Sequence, residues 1–115
     1  MESKHDIVKN WLPRYTGTAL NRFRKHVLLT NFDNYVERFA EITGSKIEGH
    51  DKAMPTASDD HVTMINFGMG SANAATIMDL LSATRPDAVL FLGKCGGLKR
   101  KNKIGDFILP LAGVR

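Results

Sequence analysis

Five consecutive residues with no polar side chain, Ala88-Val89-Leu90-Phe91-Leu92, run straight into the glycine-rich turn Gly93-Lys94-Cys95-Gly96-Gly97. So short an apolar run reads as a strand, and its lack of alternation predicts burial on both faces. Upstream, Val27-Leu28-Leu29-Thr30 is a second short apolar run and a second buried strand. Residues 61–67 alternate, with Val62 and Met64 on one face and Thr63 and Ile65 on the other, the period of a strand. Between these runs the period changes. Phe32, Tyr35, Val36 and Phe39 follow the helical i, i+3, i+4, i+7 spacing over about residues 33–43, with Asn31 or Asp33 as cap and Gly44 as stop. A second helix is predicted over 71–84, capped by Ser71, with Ala74, Ile77, Met78 and Leu81 as its buried stripe. The segment 46–58 holds one or two short strands around Gly49 and Pro55, and Asp59-Asp60 is a hairpin tip. Residues 2–12 form a short helix ending before Pro13, and residues 13–21 a loop. Residues 106–110 read as a further strand stopped by Pro110, and residues 111–115 as the start of another.

Strands that alternate with helices predict an α/β domain around a twisted, mostly parallel sheet. In such sheets ligands sit beyond the carboxyl ends of the strands. Three loops leave those ends, 31–34, 67–73 and 93–97, and they are expected to converge.

Composition narrows the partners. A 115-residue chain that is 43% hydrophobic and 24% charged suits a folded domain, not a disordered or fibrous one. The longest apolar run is far too short to span a membrane, and residues 1–10 lack the apolar core of a secretory signal. The single cysteine, Cys95, excludes an internal disulfide and a cysteine-built metal site, and a cytoplasmic location is the default expectation. The four histidines are scattered without metal-ligand spacing, so no metal or other cofactor is expected. The net charge of +4 is concentrated in the 99–103 tract Lys-Arg-Lys-Asn-Lys and in Arg22, Arg24 and Lys25. No aromatic residue interleaves the 99–103 tract, which argues against nucleic acid and for a solvated loop or a small anionic partner.

The loop Asn66-Phe67-Gly68-Met69-Gly70-Ser71-Ala72-Asn73 joins a strand to a helix. Its glycines let backbone approach a ligand, and the helix start offers free N–H groups to a phosphate or a ribose hydroxyl; a plain tight turn would have the same composition. It lacks the third glycine and the distant acid of the dinucleotide fingerprint. In the second glycine loop Lys94 is a cation suited to an anion, but no Ser or Thr follows it as a Walker-type loop requires. Cys95 has no histidine near it in sequence, so a small structural cysteine competes with a nucleophile.

The two glycine loops, in this order, resemble those of the nucleoside phosphorylase superfamily. Within it, Thr30-Asn31-Phe32, the stretch from Asn66 to Thr76, the stretch from Leu90 to Leu98 and the opening Val8 to Gly17 look like the AMP nucleosidases of bacteria. The resemblance implies a three-layer α/β/α fold, a homo-oligomer when full length, and hydrolysis of AMP to adenine and ribose 5-phosphate without a metal. It implies a ligand site at Asn31, Gly68, Met69, Gly70, Gly93 and Lys94. Phosphorylases of the superfamily hold inorganic phosphate with a glycine, two arginines and a serine; at those positions this chain carries Asn31, Tyr35, Phe91 and Lys94. That difference favours hydrolysis over phosphorolysis. The ribose clamp and the acid acting on the purine are expected in the family's second half. The catalytic residues are therefore unassigned, and residues 1–115 read as the N-terminal part of one domain, inactive alone. The alternatives are a non-catalytic nucleotide-binding or oligomerisation module, or an enzyme acting on another purine nucleoside.

Overall fold

A computed structural model describes residues 1–114. The order of elements is α1 (Lys4–Thr16), a single 3₁₀ turn (Leu20–Arg22), β1 (His26–Thr30), α2 (Asp33–Thr43), β2 (Ile47–Glu48), β3 (Thr56–Ser58), β4 (Val62–Asn66), α3 (Ser71–Leu81) and β5 (Ala88–Phe91). The sheet order is β2-β3-β4-β1-β5. β1 runs parallel to both β4 and β5, whereas β3 is antiparallel to β2 and to β4.

Alternation along the strands feeds two cores. Val27, Leu29, Ile65 and Phe67 face α1 and α3, where they pack with Val8, Leu12, Ile77, Leu80 and Leu81. Met64 and Ala57, with half-buried Leu28, face α2 and meet Val36 and Phe39. Helices therefore cover both faces, which is the expected three-layer α/β/α arrangement with a mixed sheet. Each fully buried aliphatic side chain of this kind is worth about 1.5–3 kcal/mol.

Several local expectations are corrected. Helix α1 does not stop before Pro13 but continues to Thr16. Pro13 lies in the last turn, where its missing N–H costs one bond, and Gly17 closes the turn by donating to the Pro13 carbonyl at 2.8 Å. At its other end Ser3 and Asp6 form a reciprocal capping box. Neither Asn31 nor Asp33 caps α2: the N-cap is Phe32, and Asp33 instead accepts from the Asn66 side chain. Ser71 is the first residue of α3, not its cap, and the N-cap is Gly70. On α3 the buried stripe is Ile77, Leu80 and Leu81, while Met78 is half exposed.

The apolar run at 88–91 is a strand, but it is not buried on both faces. Leu90 and Phe91 are 53% and 54% exposed, because β5 pairs only with β1 among the described residues. Residues 106–110 form no strand; Phe107 and Leu109 project outward, and no ladder bond reaches them. Residues 111–114 form none either, and Arg115 lies outside the described residues. Apolar composition favours a strand, but only a paired edge makes one.

The β2–β3 turn is pinned to α1. Gly17 and Gly49 meet so closely that a Cβ at Gly49 would lie 1.9 Å from the Thr16 carbonyl oxygen. Met54 donates its N–H to the Tyr15 carbonyl, and the Thr18 and Thr56 hydroxyls share a buried bond of 2.7 Å.

Candidate functional site

Parallel pairing aligns the carboxyl ends of three strands. Thr30 lies opposite Asn66, and Leu29 opposite Phe91, so the loops after β1, β4 and β5 leave from one edge. Backbone bonds continue past the strands, from Phe67 N–H to the Thr30 carbonyl at 3.0 Å and from Leu92 N–H to the Leu29 carbonyl at 2.7 Å. The three predicted loops thus converge.

Asn66 holds two of them together. Its Nδ2 donates to Asp33 at the start of α2, while its Oδ1 accepts the Gly68 N–H at 2.9 Å. Asn66 belonged to the sequence motif without a role of its own. Its place at the end of an alternating strand, on the face turned to α2, was the available signal. Gly68 has φ +81°, and a Cβ there would meet the Asn73 side chain at 2.9 Å, so only glycine fits this turn without strain.

On the α3 side of the edge lies an open cavity of about 440 Å³, lined by Leu29, Asn31, Phe67, Gly70, Ser71, Ala74, Met78, Val89 and Phe91. The Phe67 and Phe91 rings meet at 5.8 Å between centroids, and the Phe91 ring lies back against Gly93, where a Cβ would come within 2.7 Å of it. The walls are apolar apart from Asn31 and Ser71. The Asn31 Oδ1 is buried, and no group among the described residues donates to it.

Of the sequence-predicted residues, Asn31 and Gly70 line this cavity together. Gly68 lies one turn away, and Met69 is 73% exposed at the rim of the same loop. Gly93 backs the Phe91 wall. Lys94 goes elsewhere. Strand alternation carries Phe91 to the α3 side and Leu92 to the α2 core, and Lys94 follows Leu92. Its Nζ sits 4.4 Å from the Phe32 ring centroid and 5.4 Å from that of Tyr35. No carboxylate lies within ion-pair distance of it among the described residues. Cys95 is exposed. Among the described residues no three metal-binding side chains cluster, and no helix is long and apolar enough to cross a membrane.

The sequence pattern of the phosphorylase superfamily matches residues 25–114. The chain belongs to the phosphorylase superfamily. AMP nucleosidase from Escherichia coli strain K12 is 33% identical over 90% of this chain, and so is that of strain O157:H7. The crystal structure of AMP nucleosidase from Bacteroides thetaiotaomicron VPI-5482 is 61% identical over 84% of this chain, with a TM-score of 0.81. The chain spans 29% of the length of the Escherichia coli proteins and 42% of the Bacteroides chain. All the strand ends and loops of the candidate site fall inside the superfamily segment, whereas α1 precedes it.

Proposed function

We propose that the protein to which this chain belongs hydrolyses the N-glycosidic bond of AMP, releasing adenine and ribose 5-phosphate. The observation that carries this reading is the 61% identity and close structural match to an AMP nucleosidase across the part of the molecule that contains the converging loops. The reaction stretches the C1′–N9 bond, positive charge builds on the ribose, and water attacks C1′. Protonation of the departing adenine is general acid catalysis. The α3 N-terminus at Gly68, Met69 and Gly70 is assigned to the ribose, with Met69 as an apolar wall and Asn31 and Gly93 flanking it.

Lys94 is assigned to the 5′-phosphate. Its ammonium, held over two aromatic rings and unpaired with any carboxylate among the described residues, supports this role. The ribose then lies across the strand ends, between an uncharged chamber on the α3 side and a cation on the α2 side. Work as a homo-oligomer is supported by half-exposed Met78, Leu90 and Phe91. A cytoplasmic setting suits the free, exposed thiol of Cys95.

The test is adenine release from AMP, measured on the protein at its natural length with and without inorganic phosphate. Turnover independent of phosphate is expected. Release only in the presence of phosphate would assign a phosphorylase, and AMP binding without release would leave a nucleotide-binding module.

A further inference from the structure

The residues between β4 and α3, 67–70, carry the backbone assigned to the ribose, and little holds them. Gly68 and Gly70 have φ of +81° and +95°, and α3 starts without a side-chain cap. Among the described residues, only Asn66 bonds a side chain to this backbone, its Oδ1 accepting the Gly68 N–H at 2.9 Å. Asn66 is a firm post for that bond. It is buried, and its own N–H donates to the Pro55 carbonyl at 3.1 Å. The next N–H, of Phe67, donates to the Thr30 carbonyl at 3.0 Å. Its backbone is therefore held from both sides whatever its side chain does.

The direction of that side chain is decided at α2. An amide can turn either its oxygen or its nitrogen to the loop, and only the oxygen can accept from Gly68. The ionised Asp33 carboxylate accepts and cannot donate, so it takes the Nδ2 end and leaves Oδ1 facing Gly68. Asp33 lies in the first turn of α2, where the helix dipole favours its negative charge. We propose that Asp33 and Asn66 are positioning residues for the ribose. The carboxylate sets the direction of the amide, and the amide sets the place of residues 68–70. This deepens the hydrolytic reading and rests on it in placing the ribose at this loop. Both residues act through the loop backbone and neither gains nor loses a proton.

The experiment uses the protein at its natural length, with Asn66→Asp, Asp33→Asn and the two combined, which exchanges the pair. It reads adenine release from AMP and inhibition by each product, ribose 5-phosphate and adenine. Asn66→Asp sets two carboxylates face to face, so the loop shifts, and kcat/KM is expected to fall about tenfold, the worth of one hydrogen bond. Ribose 5-phosphate should inhibit about tenfold more weakly, with adenine within about twofold of the parent. The exchanged pair sets an amide donor opposite a carboxylate that still accepts from Gly68, and it restores ribose 5-phosphate inhibition and kcat/KM to within about threefold. Asp33→Asn leaves two amides that can bond in either direction, and kcat/KM falls about threefold. A lower melting midpoint in Asn66→Asp, with kcat/KM and both inhibition constants unchanged, means that the pair only braces the fold and overturns the proposal. So does an exchanged pair that regains the midpoint but not the inhibition by ribose 5-phosphate. Should Asn66→Asp not fold, Asp33→Asn with the parent kcat/KM overturns it as well. A parent that releases no adenine but binds ribose 5-phosphate overturns the hydrolytic reading alone, and calorimetry with ribose 5-phosphate across the variants then decides the positioning role. A parent that does neither overturns both.

Discussion

The two faces of the sheet differ in what they enclose. On the α1/α3 face, eleven buried residues form one continuous core that opens at the carboxyl edge into an uncharged chamber. On the α2 face the buried apolar cluster among the described residues is Val36, Ala57 and Met64, ringed by half-buried neighbours, and the same edge ends in an ammonium over two aromatic rings. The end of β5, one residue before its glycine loop, decides both, since Phe91 turns one way and Leu92 the other. Neighbours in one short loop are thereby delivered to different chemical environments.

Truncation in the two cores is the coarsest way to break that contrast. Ile65→Ala, in the larger core, is expected to cost about 2–5 kcal/mol in urea unfolding. Met64→Ala, one residue away but facing α2, should cost less, because its half-exposed surroundings close over the gap more easily. Equal losses would mean that the faces are equally well packed. For Lys94→Met, AMP turnover is expected to fall by about ten- to a hundredfold while adenosine turnover changes little. Equal losses on both substrates would remove the phosphate role from Lys94. Next in size is Asn66→Leu, which cuts the tie between the loops after β1 and β4. About 1–3 kcal/mol of stability should go, read as a lower denaturation midpoint, since Asp33 and the Gly68 N–H both lose a partner.

The smallest effect concerns the hairpin tip at the other end of the strands. Backbone N–H groups of His61 and Val62 each donate to Asp59 at 2.7 Å and hold its carboxyl below its ordinary value of 3.8. A carboxyl depressed in the folded state adds stability that is present above the ordinary value and is lost as pH falls through the folded one. Acid titration of the melting temperature should therefore show a slightly steeper loss below about pH 4 in the parent than in Asp59→Asn. Coincident curves would show that these bonds add nothing to stability.

How much of this was legible in the sequence depended on whether neighbours were needed to decide it. Period alone placed α2, α3, β1 and β4 within a few residues, and the glycines at 44 and 68–70 marked real turns. The convergence of the loops followed from parallel pairing. Caps were harder, because Asp33 has a better partner in Asn66 than the end of its own helix, and nothing local reveals a residue 33 positions away. Pro13 misled for the opposite reason: in a last turn its defect is mild. The apolar runs at 88–92 and 106–110 read as covered strands, yet cover is a property of what lies alongside. The unpartnered amide of Asn31 has no sequence signature at all.

The crossing of Gly17 and Gly49 bears on how the molecule comes apart. Helix α1 precedes the superfamily segment and could pass for an appendage. Its last turn, however, sits against the β2–β3 turn with no room for a single added carbon, and its Val8 and Leu12 belong to the main core. The helix therefore cannot peel away while the rest stays closed. Its amides should exchange with solvent only when β3 and β4 open too, which makes residues 4–66 one cooperative unit with a long-range latch.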